Sequence, residues 1–343
     1  MKKHIIILFV LIFSAPIFAE KLDVKGSVSE EFQQIQQKSE SLRFDKQFVN
    51  LMVAKKGAGK EVVAQKLMKK FKKGSTINME PDNDTEIVLK ENFISIVGNG
   101  WDLAVSNDGS KVNFRNWKYP QDHKSQFGKE KEMSLKELET YGKNFIENEL
   151  QDFIHLGDKE ELVFIQSKYE IDGIEAVDGS FVDETVAGNI AYFGRQKEGL
   201  MFIGYGSLII VEFSNDRKPI SFYYNWIDFD ELDEVIQIAS KDEIDYRISA
   251  LSETNYAPQI KNLEVKTVCG LYYNDTYLQP ACEIQQSAEF EVGTFVGVIN
   301  YIPAGKTYFL EDSWSELKKL NNSGEICQST DVTGIIFPED EKQ

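Results

Sequence analysis

The stretch that most constrains the fold is residues 191–226, AYFGRQKEGLMFIGYGSLIIVEFSNDRKPISFYYNW, where apolar, aromatic and turn residues are densest. In its middle, Met201, Ile203, Tyr205, Ser207, Ile209, Val211 and Phe213 alternate with their neighbours, the period-two pattern of a strand with one core-facing side. The other side carries Gly204, Gly206 and Glu212 beside Leu208 and Ile210, which predicts a bend or bulge where something packs close. Residues 195–199 and 214–219 are rich in Gly, Asn, Asp and Pro and read as turns, so the stretch predicts three antiparallel strands. A sheet with one apolar face needs a cover, and the preceding helix is the expected one.

That helix is opened by Ser134, with Glu137 three residues on as a capping box. Leu135, Leu138, Phe145, Ile146, Leu150, Phe153 and Ile154 form its stripe, and Gly157 closes the segment. Residues 162–171 then read as a strand and residues 171–184 as an acidic loop. Its Asp172, Glu175, Asp178 and Asp183 fit no defined calcium loop, so a solvated turn is expected there. Further on, Ser240 and Glu243 make a second capping box before Ile244, Ile248 and Leu251, and strand-like runs follow at 263–273, 278–285 and 294–302. Helix then strands occurs twice. Upstream, Val62, Val63, Leu67 and Phe71 recur at helical spacing, strand patterns begin at Glu86, and Asn107-Asp108-Gly109 signals a hairpin. The expected fold class is therefore α+β: helices packed on antiparallel sheets, in two tandem helix-plus-meander modules after a smaller N-terminal helix/β-hairpin domain. The expected boundaries are residues 20–118 for that domain, 119–132 for a polar linker, 133–239 and 240–337 for the two modules, and 338–343 for a tail.

Residues 1–19 combine Lys2 and Lys3, an apolar run and Ala19, the parts of a secretory signal cleaved after Ala19. The apolar run is too short to span a bilayer, which takes about 20 residues. A periplasmic or extracellular protein is expected. Removing the signal's two lysines takes the formal charge from −18 to −20, which argues against nucleic acid, whose phosphates are bound mainly by Lys and Arg. The acidity is not uniform: between Lys55 and Lys73, eight lysines stand against Glu61. A solvated amphipathic helix explains them, and contact of Lys69, Lys70 and their neighbours with an anionic membrane surface or with the acidic remainder of the protein is the functional alternative. Cys269 and Cys282 lie symmetrically about an Asn-Asp-Thr turn, so a bulge-free hairpin sets them opposite each other and predicts a disulfide. The bridge is worth about 3 kcal/mol in the loop-entropy model. Cys327 is left over and has no marks of a nucleophile.

Catalytic patterns are missing from the sequence. Beyond the signal only His123 and His155 remain, and HExxH, GxSxG and CxxC do not occur. Phe222, Tyr224 and Trp226 share one strand face and Tyr223 the other. Tyr205, Tyr223 and Trp226 are the aromatic candidates for a binding groove if they prove exposed beside Gly204 and Gly206. A helix opened by a capping box, followed by GLMFIGYGSLIIVEFSNDRKPIS, resembles the propeptide modules of thermolysin-like and fungalysin metalloproteases and the related PepSY domains. The places are Gly199, Gly204, Ile209, Val211, Asn215 and Asp216, over roughly residues 134–226. An extra residue separates Gly204 from Gly206, and Arg217 stands where that family usually has a turn glycine. The resemblance implies inhibiting, chaperoning or binding a partner protein. The expected function is thus a non-catalytic exported module acting on a partner protein or the envelope, with no cofactor or metal. An exported hydrolase using carboxylates or a serine is the alternative.

Overall fold

The computed structural model describes residues 26–28, 48–71, 77–119, 133–175, 181–252, 260–290 and 295–306. The signal-like residues 1–19, Cys327 and the tail lie outside these. The strands are β1 (Gly26–Val28), β2 (Phe48–Ala54), β3 (Glu86–Leu89), β4 (Phe93–Gly98), β5 (Trp101–Ser106), β6 (Lys111–Asn116), β7 (Glu160–Glu175), β8 (Phe181–Lys197), β9 (Leu200–Ile203), β10 (Ser207–Phe213), β11 (Pro219–Trp226), β12 (Phe229–Gln237), β13 (Ile260–Tyr273), β14 (Tyr277–Phe290) and β15 (Phe295–Pro303). Three helices accompany them among the described residues: α1 (Lys60–Lys70), α2 (Leu135–Glu149) and α3 (Lys241–Ser252).

The strands join into two sheets. The first runs β1-β7-β8-β10-β11-β6-β5-β4-β3 and is antiparallel throughout. The second runs β12-β2-β14-β13, with β15 also on β14. β9 is the link. It leaves β8 through the two-residue turn Glu198-Gly199, both at positive φ (50° and 84°), the geometry that matches strand twist in tight hairpins. It then pairs parallel with β13, Leu271 opposite Phe202 and Tyr272 opposite Ile203.

This overturns the expected α+β class. Among the described residues the chain is predominantly one large mixed sheet system with three short helices, and the tandem modules do not exist as separate layers. The reason is strand pairing between segments distant in sequence. β6 of the supposed N-terminal domain pairs with β11 of the meander, Phe114 opposite Phe222 and Val112 opposite Tyr224, so their apolar faces merge. One core results, in which Ile94, Ile96, Leu103, Val105, Phe114, Phe164, Phe193, Val211, Phe222 and Trp226 lie under Val63 and Leu67 of α1 and Leu138, Phe145 and Ile146 of α2. Period-two alternation puts each strand's apolar set on this face. α2 begins as the sequence implied: the Ser134 hydroxyl accepts from the Glu137 amide, and the Glu137 carboxylate accepts from the Ser134 amide. It then settles so close to the sheet that a Cβ on Gly142 would lie 2.4 Å from the Phe193 ring. The α3 capping box is present too, and Ile244 of that helix packs with Cys269, Cys282, Ile284 and Ile302.

Three local expectations change. The acidic segment 171–184 is largely strand, because β7 and β8 run on to Glu175 and from Phe181. Arg195 belongs to β8, and the turn is confined to Glu198-Gly199. The single middle strand of residues 201–213 is broken at the bend foreseen around Gly204 and Gly206, whose φ values are 78° and 90°. Tyr272 packs against Gly204 and Ile227 against Gly206 at distances that leave little room for a Cβ. The bend reassigns the faces: Ile209, Val211 and Phe213 join the helix-covered core, while Met201 and Ile203 join a second cluster with Val163, Ile165 and Leu208.

Candidate functional site

Where β8 gives way to β9, the strand that links the two sheets, Arg195 of β8 is buried, its side chain 1% exposed. Its guanidinium donates to Glu160 Oε2 (3.2 Å), to the Gly206 carbonyl (3.0 Å) and to the Ile227 carbonyl (2.7 Å). It also lies 4.2 Å from the Phe202 ring centre, 4.3 Å from Trp226 and 5.2 Å from Phe229. A planar cation with several fixed donors suits such a setting, since its faces stack on rings while its edge donates to oxygens. Burial pulls its pKa down, and the neighbouring Glu160 and Asp228 carboxylates oppose that, so the group stays charged. Glu160 also accepts from the Gly157 amide at 2.9 Å. Beside this arginine, His155 Nδ1 lies 3.0 Å from Asp228 Oδ2, and the His155 carbonyl accepts from Trp226 Nε1 at 2.9 Å.

These contacts fix the root of the β8–β9 hairpin, and the hairpin walls a cleft of about 280 Å³. Its lining combines Leu200, Met52 and Leu271 with Phe48, Asn50, Lys159, Lys197, Glu198 and Glu231. Met52 and Leu271 are buried and belong to an apolar cluster with Phe202 and Leu278, against which Leu200 and Phe229 pack. Phe48 stands 54% exposed at the mouth. Each charge on the rim has a partner. Lys159 Nζ meets Glu198 Oε1 at 2.8 Å, Lys197 pairs with Glu231 and donates to the Asp158 carbonyl, and Asn50 donates to Glu231 at 3.2 Å. The hydrogen bond from Lys197 holds the Glu231 pKa below the usual carboxylate range, and the bond to Glu198 raises Lys159. At the end of the second sheet among the described strands, β12 adds the exposed Asp230, Asp233 and Glu234. Among the described residues that line the cleft there is no Ser, Cys or His.

The residues singled out from sequence are not brought together. Tyr205 is 57% exposed at the bend, with Lys111 Nζ 5.7 Å from its ring centre. Tyr223 is half-buried against the second cluster. Trp226 is 4% exposed in the main core, against Arg195, so no groove forms from these aromatics beside Gly204 and Gly206. Lys69 is exposed on α1, whereas Lys70 reaches Asp152 at 3.4 Å and the Asn148 carbonyl. Of the other lysines in that run, Lys60 is buried and donates to the Lys90 and Glu91 carbonyls, and Lys55 pairs with Asp230 at 2.9 Å. Lys56 and Lys66 are exposed, and Lys72 and Lys73 lie outside the described residues. Cys269 and Cys282 face each other in the β13–β14 register and form the disulfide. Among the described residues there is no helix long and apolar enough to cross a membrane and no cluster of side chains able to hold a metal ion.

Sequence reasoning missed Arg195, Glu160 and the cleft. The available signal was a lone arginine inside an apolar alternating run, AYFGRQ, but the adjacent glycine suggested a turn.

No protein-family model matches the chain, and no curated protein matches it. Among solved structures, it is similar to the crystal structure of an uncharacterized protein from Eubacterium rectale ATCC 33656, at 14% identity and a TM-score of 0.48, covering 78% of this chain and 87% of that one.

Proposed function

We propose that this chain is a non-catalytic exported binding module that holds a segment of a partner protein in the cleft between the β8–β9 hairpin and strands β2 and β12. The observation that carries the reading is the composition of that cleft: an apolar floor, an exposed aromatic at the mouth, and a rim of preformed ion pairs. Half of the lining is polar or charged, Asn50, Lys159, Lys197, Glu198 and Glu231, set around Met52, Leu200 and Leu271, and the paired rim charges supply orientation and specificity more than chemistry. The acidic β12 edge and the formal charge of −18 favour a segment with an apolar side chain flanked by Lys or Arg. The disulfide supports an oxidising, exported setting. The test is selection of a displayed random-peptide library on the intact protein. Basic-flanked apolar peptides are expected to be enriched, and to lose binding to Phe48→Ala and Glu231→Lys. Enriched peptides that bind both variants as well as the wild type, or no enrichment, would overturn the reading.

A further inference from the structure

Among the described residues the far end of the first sheet is strand β3, and two large apolar side chains on it, Ile87 and Leu89, are 58% and 64% exposed. They stand opposite Ile96 and Ile94 of β4, which are buried. So Ile87 and Leu89 lie on the core-facing side of the sheet, continuing it past the region covered by α1. A sheet that ends on an uncovered apolar strand is a template for another strand, and proteins usually blunt such edges.

The hydrogen-bond parity of this edge defines what can pair with it. The Lys90 amide donates to the Phe93 carbonyl at 2.9 Å, closing the hairpin to β4. Because antiparallel ladders alternate, Lys90, Val88 and Glu86 direct their backbone groups to β4, and Ile87 and Leu89 direct theirs to the free edge. The edge sequence is Glu86-Ile-Val-Leu-Lys90. Turned antiparallel about Val88, it is complementary to itself. Ile87 of one copy then faces Leu89 of the other, and both residues have the outward N–H and C=O groups that such a pair exchanges. Val88 faces its own copy. Glu86 faces Lys90, and both are exposed. Backbone parity, apolar match and charge match agree on this one register.

We propose that two copies of this chain associate through β3, antiparallel about a two-fold axis at Val88. Four backbone hydrogen bonds join Ile87 and Leu89 of each copy to the same residues of the second. Two Glu86–Lys90 ion pairs flank the axis on the other face. The first sheet then continues across the dimer, and the apolar side chains at its edge become covered. This surface is distinct from the cleft proposed above, and the dimer stands or falls independently of it. Five residues a side make a small interface, so the dimer belongs to the weak, concentration-dependent class.

The test combines sedimentation velocity with four variants of the intact protein. The wild type is expected to pass from monomer to dimer between micromolar and near-millimolar concentration. Ile87→Pro removes an outward N–H and leaves the ladder to β4 intact, so it is expected to remain monomeric with unchanged circular dichroism. Glu86→Lys and Lys90→Glu each set like charges opposite one another and are expected to weaken dimerisation about tenfold. The double exchange of Glu86→Lys with Lys90→Glu is expected to restore it. Register is read separately: in a Cys327→Ser background, Val88→Cys is expected to form a disulfide-linked dimer with oxidised glutathione, and Glu86→Cys is not. A wild type that stays monomeric throughout would overturn the proposal. So would an Ile87→Pro variant that still dimerises, or a double exchange no better than either single one.

Discussion

Replacing Arg195 with methionine removes the buried cation at the root of the β8–β9 hairpin while keeping much of the side chain's volume. Three groups lose the guanidinium's hydrogen bonds: the Glu160 carboxylate, whose side chain is 4% exposed and which keeps the Gly157 amide, the Gly206 carbonyl, which keeps the Ile227 amide at 3.0 Å, and the Ile227 carbonyl. Breaking a buried ion pair from one side costs about 3–5 kcal/mol, because the remaining charge is stranded in a poorly solvated place. The Ile227 carbonyl, left without the guanidinium, adds about 1–3 kcal/mol where water cannot reach it. Relaxation lets these contributions overlap, so about 4 kcal/mol is the expected total. Against a typical stability of about 5–15 kcal/mol, that is a large fraction. In urea, with a slope of about 3 kcal/mol/M, the midpoint is expected to fall by more than about 1 M. Arg195→Lys keeps the charge but cannot reach all three acceptors with one fork of donors, and should fall between. Combining Arg195→Met with Glu160→Leu removes the stranded charge and should recover at least about 1 kcal/mol of the loss. An Arg195→Met variant that unfolds within about 1 kcal/mol of the wild type would show that the guanidinium does not hold the root of the hairpin.

Three further outcomes are expected. The Glu137 pKa lies at about 2, chiefly through the Ser134 amide and then through Arg217, which binds the carboxylate at 2.6 and 3.0 Å. The sign follows from a depressed carboxylate: the stabilisation is complete above its ordinary value of 4.5 and disappears as pH falls toward 2. Glu137→Gln should cost about 1 kcal/mol at neutral pH, a figure discounted for its exposure, and should flatten the acid limb of stability against pH. Gly142→Ala gains helix propensity of about 1 kcal/mol but drives a methyl into the Phe193 ring. A net loss of about 1–2 kcal/mol in thermal or urea unfolding is therefore expected. Replacing Cys269 and Cys282 together with serine should cost about 3 kcal/mol, measured by chemical denaturation beside the reduced wild type.

What was legible in the sequence was local. The capping boxes at Ser134 and Ser240 are contained within four residues, and both are present. The Cys269–Cys282 pair followed from the symmetry of one hairpin. The bend at Gly204 and Gly206 followed from two glycines interrupting an alternating run. What was not legible was which strand lies beside which. The β6–β11 pairing joins segments roughly a hundred residues apart, and alternation records only that each has an apolar face. Arg195 failed for a related reason: its burial is offset by a carboxylate 35 residues away, two carbonyls and three rings, none of them adjacent in sequence. The cleft inherits this difficulty, since its walls come from β2, β12, β13 and the β8–β9 hairpin.

The most direct measurement is backbone chemical-shift mapping of the intact protein titrated with a peptide selected on it. Perturbations are expected to cluster at Phe48, Asn50, Lys197, Glu198, Leu200 and Glu231 and to vanish in Glu231→Lys. Perturbations confined to the β3 edge, or to the exposed lysines of α1, would place recognition elsewhere and contradict the assignment of the cleft.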